Sequence, residues 1–136
     1  MPDPRPTQGL LDTSVLIDLD RIDTDRLPIE MAISAITMAE LAAGPHATSD
    51  PDERARRQDR LQRTEATFEP IPFDADAARA YGLIYAAIVA TGRKARGASA
   101  IDLLVAATAK AAQLPLYTRN PTDFQALENL VNIIPI

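Results

Sequence analysis

The fold of this chain is decided by residues 10–19, which read LLDTSVLIDL. A short apolar run ends at Asp12, two hydroxyl residues follow, and a second apolar run places Val15, Leu16 and Leu19 on one helix face. This pattern predicts a buried strand, a tight turn and a helix. Because ligands of open α/β sheets bind at the carboxyl ends of the strands, Asp12 is predicted to lie at a functional edge.

Predicted strands and helices alternate along the rest of the chain. Strands are predicted at residues 9–12, 31–34, 115–118 and 131–134, and helices at residues 13–20, 36–43, 51–67, 75–91 and 101–112. In the last helix, apolar residues at helical spacing, beginning with Ile101, predict a buried face. The alternation predicts a single α/β domain of residues 1–136 with a mainly parallel sheet, in which residues 1–8 form a loose N-terminal arm.

Composition restricts the chemistry that is available. The chain has 136 residues, with no cysteine and only one histidine, His46. Thiolate chemistry and multi-histidine metal sites are therefore excluded, so that any catalysis would use carboxylates and hydroxyls. The net charge of −5 disfavours non-specific binding to polyanions. A nucleic-acid partner would need bridging metal ions or a local basic patch.

The sequence gives no sign of a membrane protein. Its longest apolar run, residues 80–90, has eleven residues, which is too short to cross a bilayer. Residues 1–8 are polar and do not have the pattern of a signal peptide. We therefore expect a cytoplasmic protein with no membrane partner.

Five side chains that offer oxygen ligands follow predicted strands or open predicted helices: Asp12, Glu40, Asp102, Asn120 and Asp123. Each also fits a structural role, because Asp12 precedes a helix and Thr37–Glu40, Ser99–Asp102 and Asn120–Asp123 have the spacing of a capping box. Several acids at one sheet edge would repel one another unless a cation such as Mg²⁺ or Mn²⁺ neutralised them. Capping and metal binding both remain open, since a carboxylate has two oxygens.

Four motifs then occur in a recognisable order: LLDTSVLIDL, ISAITMAEL, AIDLLVAATA and YTRNPTDF. This order resembles the PIN-domain family, and within it the bacterial VapC-type toxins, from residue 10 to residue 124. The resemblance implies a three-layer α/β/α sandwich and a Mg²⁺-dependent endoribonuclease that acts as the toxin of a toxin–antitoxin pair. The partners it implies are an RNA substrate, a small VapB-like antitoxin protein and a second copy of the chain, in a homodimer or a larger assembly.

The resemblance also assigns site residues. Asp12, Glu40 and Asp102 match the three acidic metal ligands of the family, with Mn²⁺ as an alternative ion. Asn120 stands at a fourth position that is often Asp in the family, and Asp123 follows it and completes the candidate catalytic set. Because an amide brings no charge, a second metal ion would be held less well. The hydroxyl residues that match positions near the site are Thr13, Ser14 and Thr118.

Two groups of basic residues are candidates for contacting RNA. The first comprises a basic loop ahead of Asp102 and a residue that follows a predicted strand: Arg93, Lys94, Arg96 and Arg119. The second comprises five arginines between residues 54 and 63. These arginines either bind phosphates, form ion pairs on a solvated helix, or line a groove that receives an antitoxin.

Three other functions compete with the ribonuclease interpretation. An aspartyl-phosphate phosphatase of the haloacid-dehalogenase type would need a second Asp where this chain has Ser14. A receiver-like signalling domain would need a lysine where this chain has Arg119. A PIN-like module that only binds RNA or protein would differ from the enzyme in its metal affinity, because Asn120 weakens the fourth position.

Overall fold

Residues 5–92 and 98–136, which a computed structural model of the chain describes, contain one fully parallel four-stranded sheet. The strands are β1 (Gln8–Leu11), β2 (Glu30–Ala32), β3 (Leu116–Thr118) and β4 (Ile133–Pro135), in the order β2-β1-β3-β4. The helices are α1 (Thr13–Ile17), α2 (Ala35–Ala43), α3 (Pro51–Thr67), α4 (Ala75–Thr91) and α5 (Ala100–Ala112). The predicted parallel sheet and the alternation of strands with helices are confirmed.

Helices cover both faces of the sheet. Leu10 and Leu116 belong to one buried cluster, which includes residues of α4 and α5. Their strand neighbours Leu11 and Tyr117 belong to a second cluster, which includes residues of α1, α2 and α3. Because successive side chains of a strand point to opposite faces, these clusters lie on the two sides of the sheet. The α/β/α arrangement of three layers is therefore confirmed.

The buried face of α5 differs from the predicted one. Ile101, expected in the core, is 37% exposed, whereas Leu103 and every residue from Val105 to Ala109 are buried. The middle of this helix is enclosed on most sides, so its 3.6-residue period does not identify a single inward face. The most exposed residues of the helix, Ala100 and Ile101, lie in its first turn. None of the helices in the described ranges has the length and apolar content needed to span a membrane.

The prediction of a loose arm is corrected for the described part of residues 1–8. Gln8 already belongs to β1, and the carbonyls of Pro6 and Thr7 accept hydrogen bonds from the N–H groups of Ile29 and Glu30, at 3.3 and 2.7 Å. Prolines suggested an unstructured arm because they cannot donate to a sheet, but their carbonyls still accept. Residues 1–4 lie outside the described residues.

The two central strands carry the candidate site at their carboxyl ends. Asp12 follows β1 directly, and its N–H donates to the carbonyl of Tyr117 in β3 at 2.9 Å. A glycine at position 9 permits this packing, because a Cβ there would collide with the ring of Tyr117. Thr118, the fully buried last residue of β3, thus lies at the same edge of the sheet as Asp12.

Candidate functional site

Asp12 is a buried carboxylate, 5% exposed, that is held by two hydroxyls. Ser14 Oγ and Thr118 Oγ1 donate to its Oδ2 at 3.0 and 2.6 Å. Each hydroxyl in turn accepts a backbone N–H: that of Arg119 at Ser14, at 3.2 Å, and that of Asn120 at Thr118, at 3.0 Å. Because an ionised carboxylate only accepts, the direction of these bonds is fixed, and the hydroxyls are polarised towards Asp12.

Glu40 is held by a chain of hydroxyls that sequence reasoning recognised only in part. Thr13 Oγ1 donates to Glu40 Oε1 at 2.6 Å and lies 3.0 Å from Thr37 Oγ1. Since a hydroxyl has one hydrogen, Thr37 is the donor in the second contact. Ser34 Oγ donates to Thr37 at 3.3 Å, and both of these residues are fully buried. The chain therefore runs from Ser34 through Thr37 and Thr13 to Glu40.

Asp102 is held by the backbone at the start of α5. Its Oδ2 accepts the N–H of Ser99 at 3.0 Å, while its own N–H donates to Ser99 Oγ at 3.1 Å. This is a capping box, in which both residues satisfy backbone donors that the helix leaves unpaired. Of the helix-cap interpretations made from the sequence, the one for Asp102 is confirmed.

The other cap interpretations are wrong. Asp12 and Asn120 occupy N-cap positions, but neither side chain makes a cap hydrogen bond. Glu40 lies within α2, which is capped by Ser34 rather than Thr37: the N–H of Thr37 donates to Ser34 Oγ at 3.0 Å. The signal that could have identified Ser34 is its position three residues before Thr37, directly after an apolar strand.

Asp123 brings a further carboxylate to the edge where Asp12 and Asp102 lie. Burial raises the pKa of Asp123, and the charges of Asp102 and Asp12 raise it further. The carboxylates of Asp12 and Asp102 are therefore close enough to Asp123 to disfavour its charge. Asn120 is connected to this group through its N–H bond to Thr118, and Glu40 through Thr13, the residue after Asp12. Hydrogen bonds therefore join Asp12 to Asn120 through Thr118, whereas Asp102 bonds with Ser99, and Glu40 is related to Asp12 only by its bond to the adjacent residue Thr13.

In each of the three principal carboxylates, one oxygen accepts a hydrogen bond, and the other, which we call the open oxygen, accepts none from the residues that the structure describes. Hydrogen bonds from the described residues reach Oδ2 of Asp12, Oε1 of Glu40 and Oδ2 of Asp102, but not the second oxygen of each group. In the described ranges, no group of three or more Asp, Glu or His side chains is arranged to hold a metal ion by itself. The open oxygens nevertheless suit Mg²⁺, which commonly takes one or two carboxylates together with waters and substrate phosphates instead of a closed protein cage.

The candidate RNA contacts have different outcomes. Arg119 Nε lies 3.3 Å from Asp18 Oδ2, so its charge is partly offset by a carboxylate that sequence reasoning did not single out. Arg93, Lys94 and Arg96 lie outside the described residues.

Most of the arginines in α3 have partners within the protein. Glu53 pairs with Arg56 and Arg57 at 2.8 and 3.1 Å, and Asp59 pairs with Arg63 at 3.0 Å. These i,i+3 and i,i+4 pairs are those expected of a solvated helix. Arg54 donates to the backbone carbonyls of residues 45 and 48, which fixes the segment before the helix.

Comparison with known proteins identifies the family of the chain. The PIN domain family model matches residues 9–130. The chain is 34% identical to Ribonuclease VapC5 of Mycobacterium tuberculosis over 131 residues, which cover 94% of this chain and 93% of the relative. Proteins of this kind generally depend on a divalent metal.

Solved structures of toxin–antitoxin systems have the same fold. A crystal structure of VapBC-5 of the same organism, a member of the VapBC family of toxin–antitoxin systems, matches with a TM-score of 0.84 and 35% identity, covering 96% of this chain and 100% of that chain. VapBC2 of Rickettsia felis, bound to a DNA fragment from its promoter, matches with a TM-score of 0.73 and 25% identity, covering 92% and 96%. The chain therefore belongs to the PIN-domain family.

Proposed function

We propose that the chain is a metal-dependent endoribonuclease that hydrolyses RNA phosphodiester bonds and acts as the toxin of a VapBC-type toxin–antitoxin pair. The proposal is supported by its identity to Ribonuclease VapC5 over almost the whole of both chains. The observation that carries it is that Asp12 and Asp102 lie close enough to Asp123 for their charges to raise its pKa. Carboxylates that repel one another in this way are suited to share a cation.

We assign Asp12, Glu40 and Asp102 as ligands of a Mg²⁺ ion, with Mn²⁺ as the alternative, and Asn120 and Asp123 as the remaining members of the catalytic set. Their donors are all oxygens, which these hard cations prefer. When bound, the cation supplies a Lewis acid that offsets negative charge on the phosphodiester and makes a neighbouring water more acidic. Asn120 contributes an oxygen without a charge, so the site favours one tightly held ion.

The hydroxyls around the site are positioning residues. Ser14 and Thr118 fix one oxygen of Asp12, and Thr13 fixes one oxygen of Glu40. A carboxylate fixed at one oxygen presents the other in a defined direction, which reduces the ordering needed when a ligand binds. Burial of Asp12 also keeps bulk water away from the carboxylate and strengthens its electrostatic interactions.

The partners we propose are RNA, a small VapB-like antitoxin and a second copy of the chain, in a homodimer or a larger complex with the antitoxin. This is supported by the likeness to VapBC-5, a member of a toxin–antitoxin family. Tyr85 and Val89, one turn apart on α4, are 53% and 61% exposed, as expected for apolar side chains that a partner covers. Because its substrate is cellular RNA, we place its action in the cytoplasm.

The test is cleavage of total cellular RNA by the purified chain with Mg²⁺, with EDTA, and by the Asp12→Ala variant with Mg²⁺. Discrete cuts in the first reaction only are expected, because the variant lacks a ligand and EDTA removes the ion. Asp76→Ala is the matched control, since Asp76 pairs with Arg79 on α4; it should cleave like the unmodified chain. The same result in all three reactions would contradict the nuclease. Mg²⁺ binding without cleavage would favour the module that only binds.

A further inference from the structure

We infer that Arg60 of α3 binds a phosphate of the RNA strand beside the cleavage site. The inference rests on the proposed ribonuclease function, and it concerns a residue that the metal site does not use. It distinguishes Arg60 from the four other arginines of α3, to which it looks equivalent in the sequence.

Arg60 differs from the neighbouring arginines because its guanidinium has no partner among the residues that the structure describes. Arg56, Arg57 and Arg63 are paired with carboxylates, and Arg54 with backbone carbonyls. Within the described ranges, no hydrogen bond or ion pair reaches the guanidinium of Arg60, although the residue is half-buried. The donors of this guanidinium are therefore available to a ligand that offers acceptors.

Arg60 lies where two cavities meet. One, of about 340 Å³, is lined by Thr13 and Glu40 of the candidate site and extends to Arg57 and Arg60. The other, of about 510 Å³, is lined by residues 16–21 and by the second half of α3. Arg60 and Ile17 line both cavities. A strand whose scissile bond lies at Glu40 can therefore continue along α3 past Arg60.

The charge of Arg60, which is unpaired within the described ranges, favours a phosphate as the ligand, although Asp18 and Asp20 line the larger of the two cavities as well. The chain carries a net charge of −5, so binding a polyanion requires local positive charge that is not already neutralised. Arg119 and the other arginines of α3 are engaged by carboxylates or carbonyls. A guanidinium presents a planar fork of donors that matches two oxygens of a phosphate. The exposed side chain of Ile17, in the same cavities, offers a surface on which a base can pack.

The test compares Arg60→Gln with Arg56→Gln, an arginine of the same helix that is paired with Glu53 and lines neither cavity. For Arg60→Gln we expect KM for RNA to rise about tenfold with kcat nearly unchanged, because one charge-assisted contact is lost outside the reacting centre. Arg60→Lys should recover part of the loss. The control should leave both constants unchanged. Thermal unfolding verifies that all the variants are folded.

Binding is measured separately in the Asp102→Asn background, with a short fluorescent single-stranded RNA of random sequence and Mg²⁺. Adding Arg60→Gln should lower the slope of log Kd against log salt by about 0.7, the value for one phosphate contact to a single strand. An unchanged slope and KM would overturn the inference, as would a loss of antitoxin affinity with RNA binding intact. Failure of the unmodified chain to cleave RNA contradicts the nuclease instead, and the salt slope still tests Arg60.

Discussion

The start of α1 and the start of α5 each carry an aspartate of the candidate site, and the two carboxylates are held in different ways. Asp12 receives hydroxyl donors from Ser14 and from Thr118 of the neighbouring strand β3, and its side chain makes no helix-cap hydrogen bond. Asp102 receives the N–H of Ser99 and completes a capping box. A carboxylate at a helix start can thus serve the site alone or serve the site and the helix together. Substitutions of Asp12 should therefore change activity without removing a helix cap, whereas substitutions of Asp102 can change both the activity and the stability of α5.

Asp102 gives the strongest test of that overlap. Asp102→Asn should lower RNA cleavage by at least about 10³-fold, since a ligand charge worth several kcal/mol in the transition state is lost. Its melting temperature should stay within about 2 °C, because the amide oxygen still accepts the N–H of Ser99. Asp102→Ala should lose both the activity and about 1 kcal/mol of stability. Cleavage rates and thermal unfolding measure the two effects.

Ser99→Ala is the matched control, because it weakens the cap without touching the carboxylate charge. It should cost about 1 kcal/mol of stability and leave most of the cleavage activity. If Asp102→Asn is unfolded at the temperature of the cleavage assay, the lost activity is explained by the lost helix cap alone. That result would contradict the comparison with Asp12.

Substitution of Thr118 tests the role of the hydroxyl groups that donate to Asp12. Thr118→Val keeps the shape of the side chain but removes the 2.6 Å bond to Asp12 and the acceptor for the N–H of Asn120. We expect Mg²⁺ affinity to fall about 10- to 100-fold, the usual effect of removing a group that orients a metal ligand. Calorimetric titration with Mg²⁺ measures this.

A second buried threonine provides the control for Thr118. The hydroxyl of Thr108 in α5 donates to the carbonyl of Leu104 in the same helix at 2.9 Å, and within the described residues it makes no hydrogen bond to a carboxylate. Thr108→Val should bind Mg²⁺ like the unmodified chain. Equal losses in Thr118→Val and Thr108→Val would mean that loss of any buried hydroxyl loosens the site, and that Thr118 has no specific role.

Substitution of Asp123 has the smallest expected effect, and it tests whether the charges of Asp102 and Asp12 repel that of Asp123. Its folded pKa is raised above the ordinary value of 3.8, so its contribution to stability is fully present below that value and is lost as pH rises through the folded pKa. Asp123→Asn removes this loss, and in EDTA near neutral pH it should raise the melting temperature by roughly 1–3 °C. The difference between variant and unmodified chain should disappear at low pH and shrink with Mg²⁺. A variant that is less stable at neutral pH would show that the Asp123 charge is not repelled.

The helices and strands could be predicted because the residues that begin and end them in the sequence have the same role in the folded structure. Asp50 and Pro51 set the start of α3, and Gly92, with a φ of +61°, sets the end of α4, as the sequence indicates. The position of Asp12 at the carboxyl edge of the sheet, beside the end of β3, also followed from the sequence, since the ends of parallel strands share an edge. These inferences depend only on neighbouring residues and on sheet topology.

The partners of the site residues could not be predicted in the same way. Thr118 and Asp12 are separated by 106 positions, and nothing periodic connects them. The five arginines of α3 look alike in sequence, and only the positions of Glu53 and Asp59 around the folded helix decide which arginines are paired. The exposure of Ile101 depends on how far α5 extends beyond the core, which its own pattern does not record.

The pairing of β1 with β3 has a consequence for synthesis of the protein. During translation, the strand that precedes Asp12 leaves the ribosome long before the strand that carries Thr118, so Asp12 is made without one of its two hydroxyl donors. Contacts between such distant segments form late in folding, because the long intervening chain must first be closed into a loop. A nascent chain that has not yet released β3 cannot complete this site. The order of synthesis therefore delays activity until most of the chain has emerged and folded.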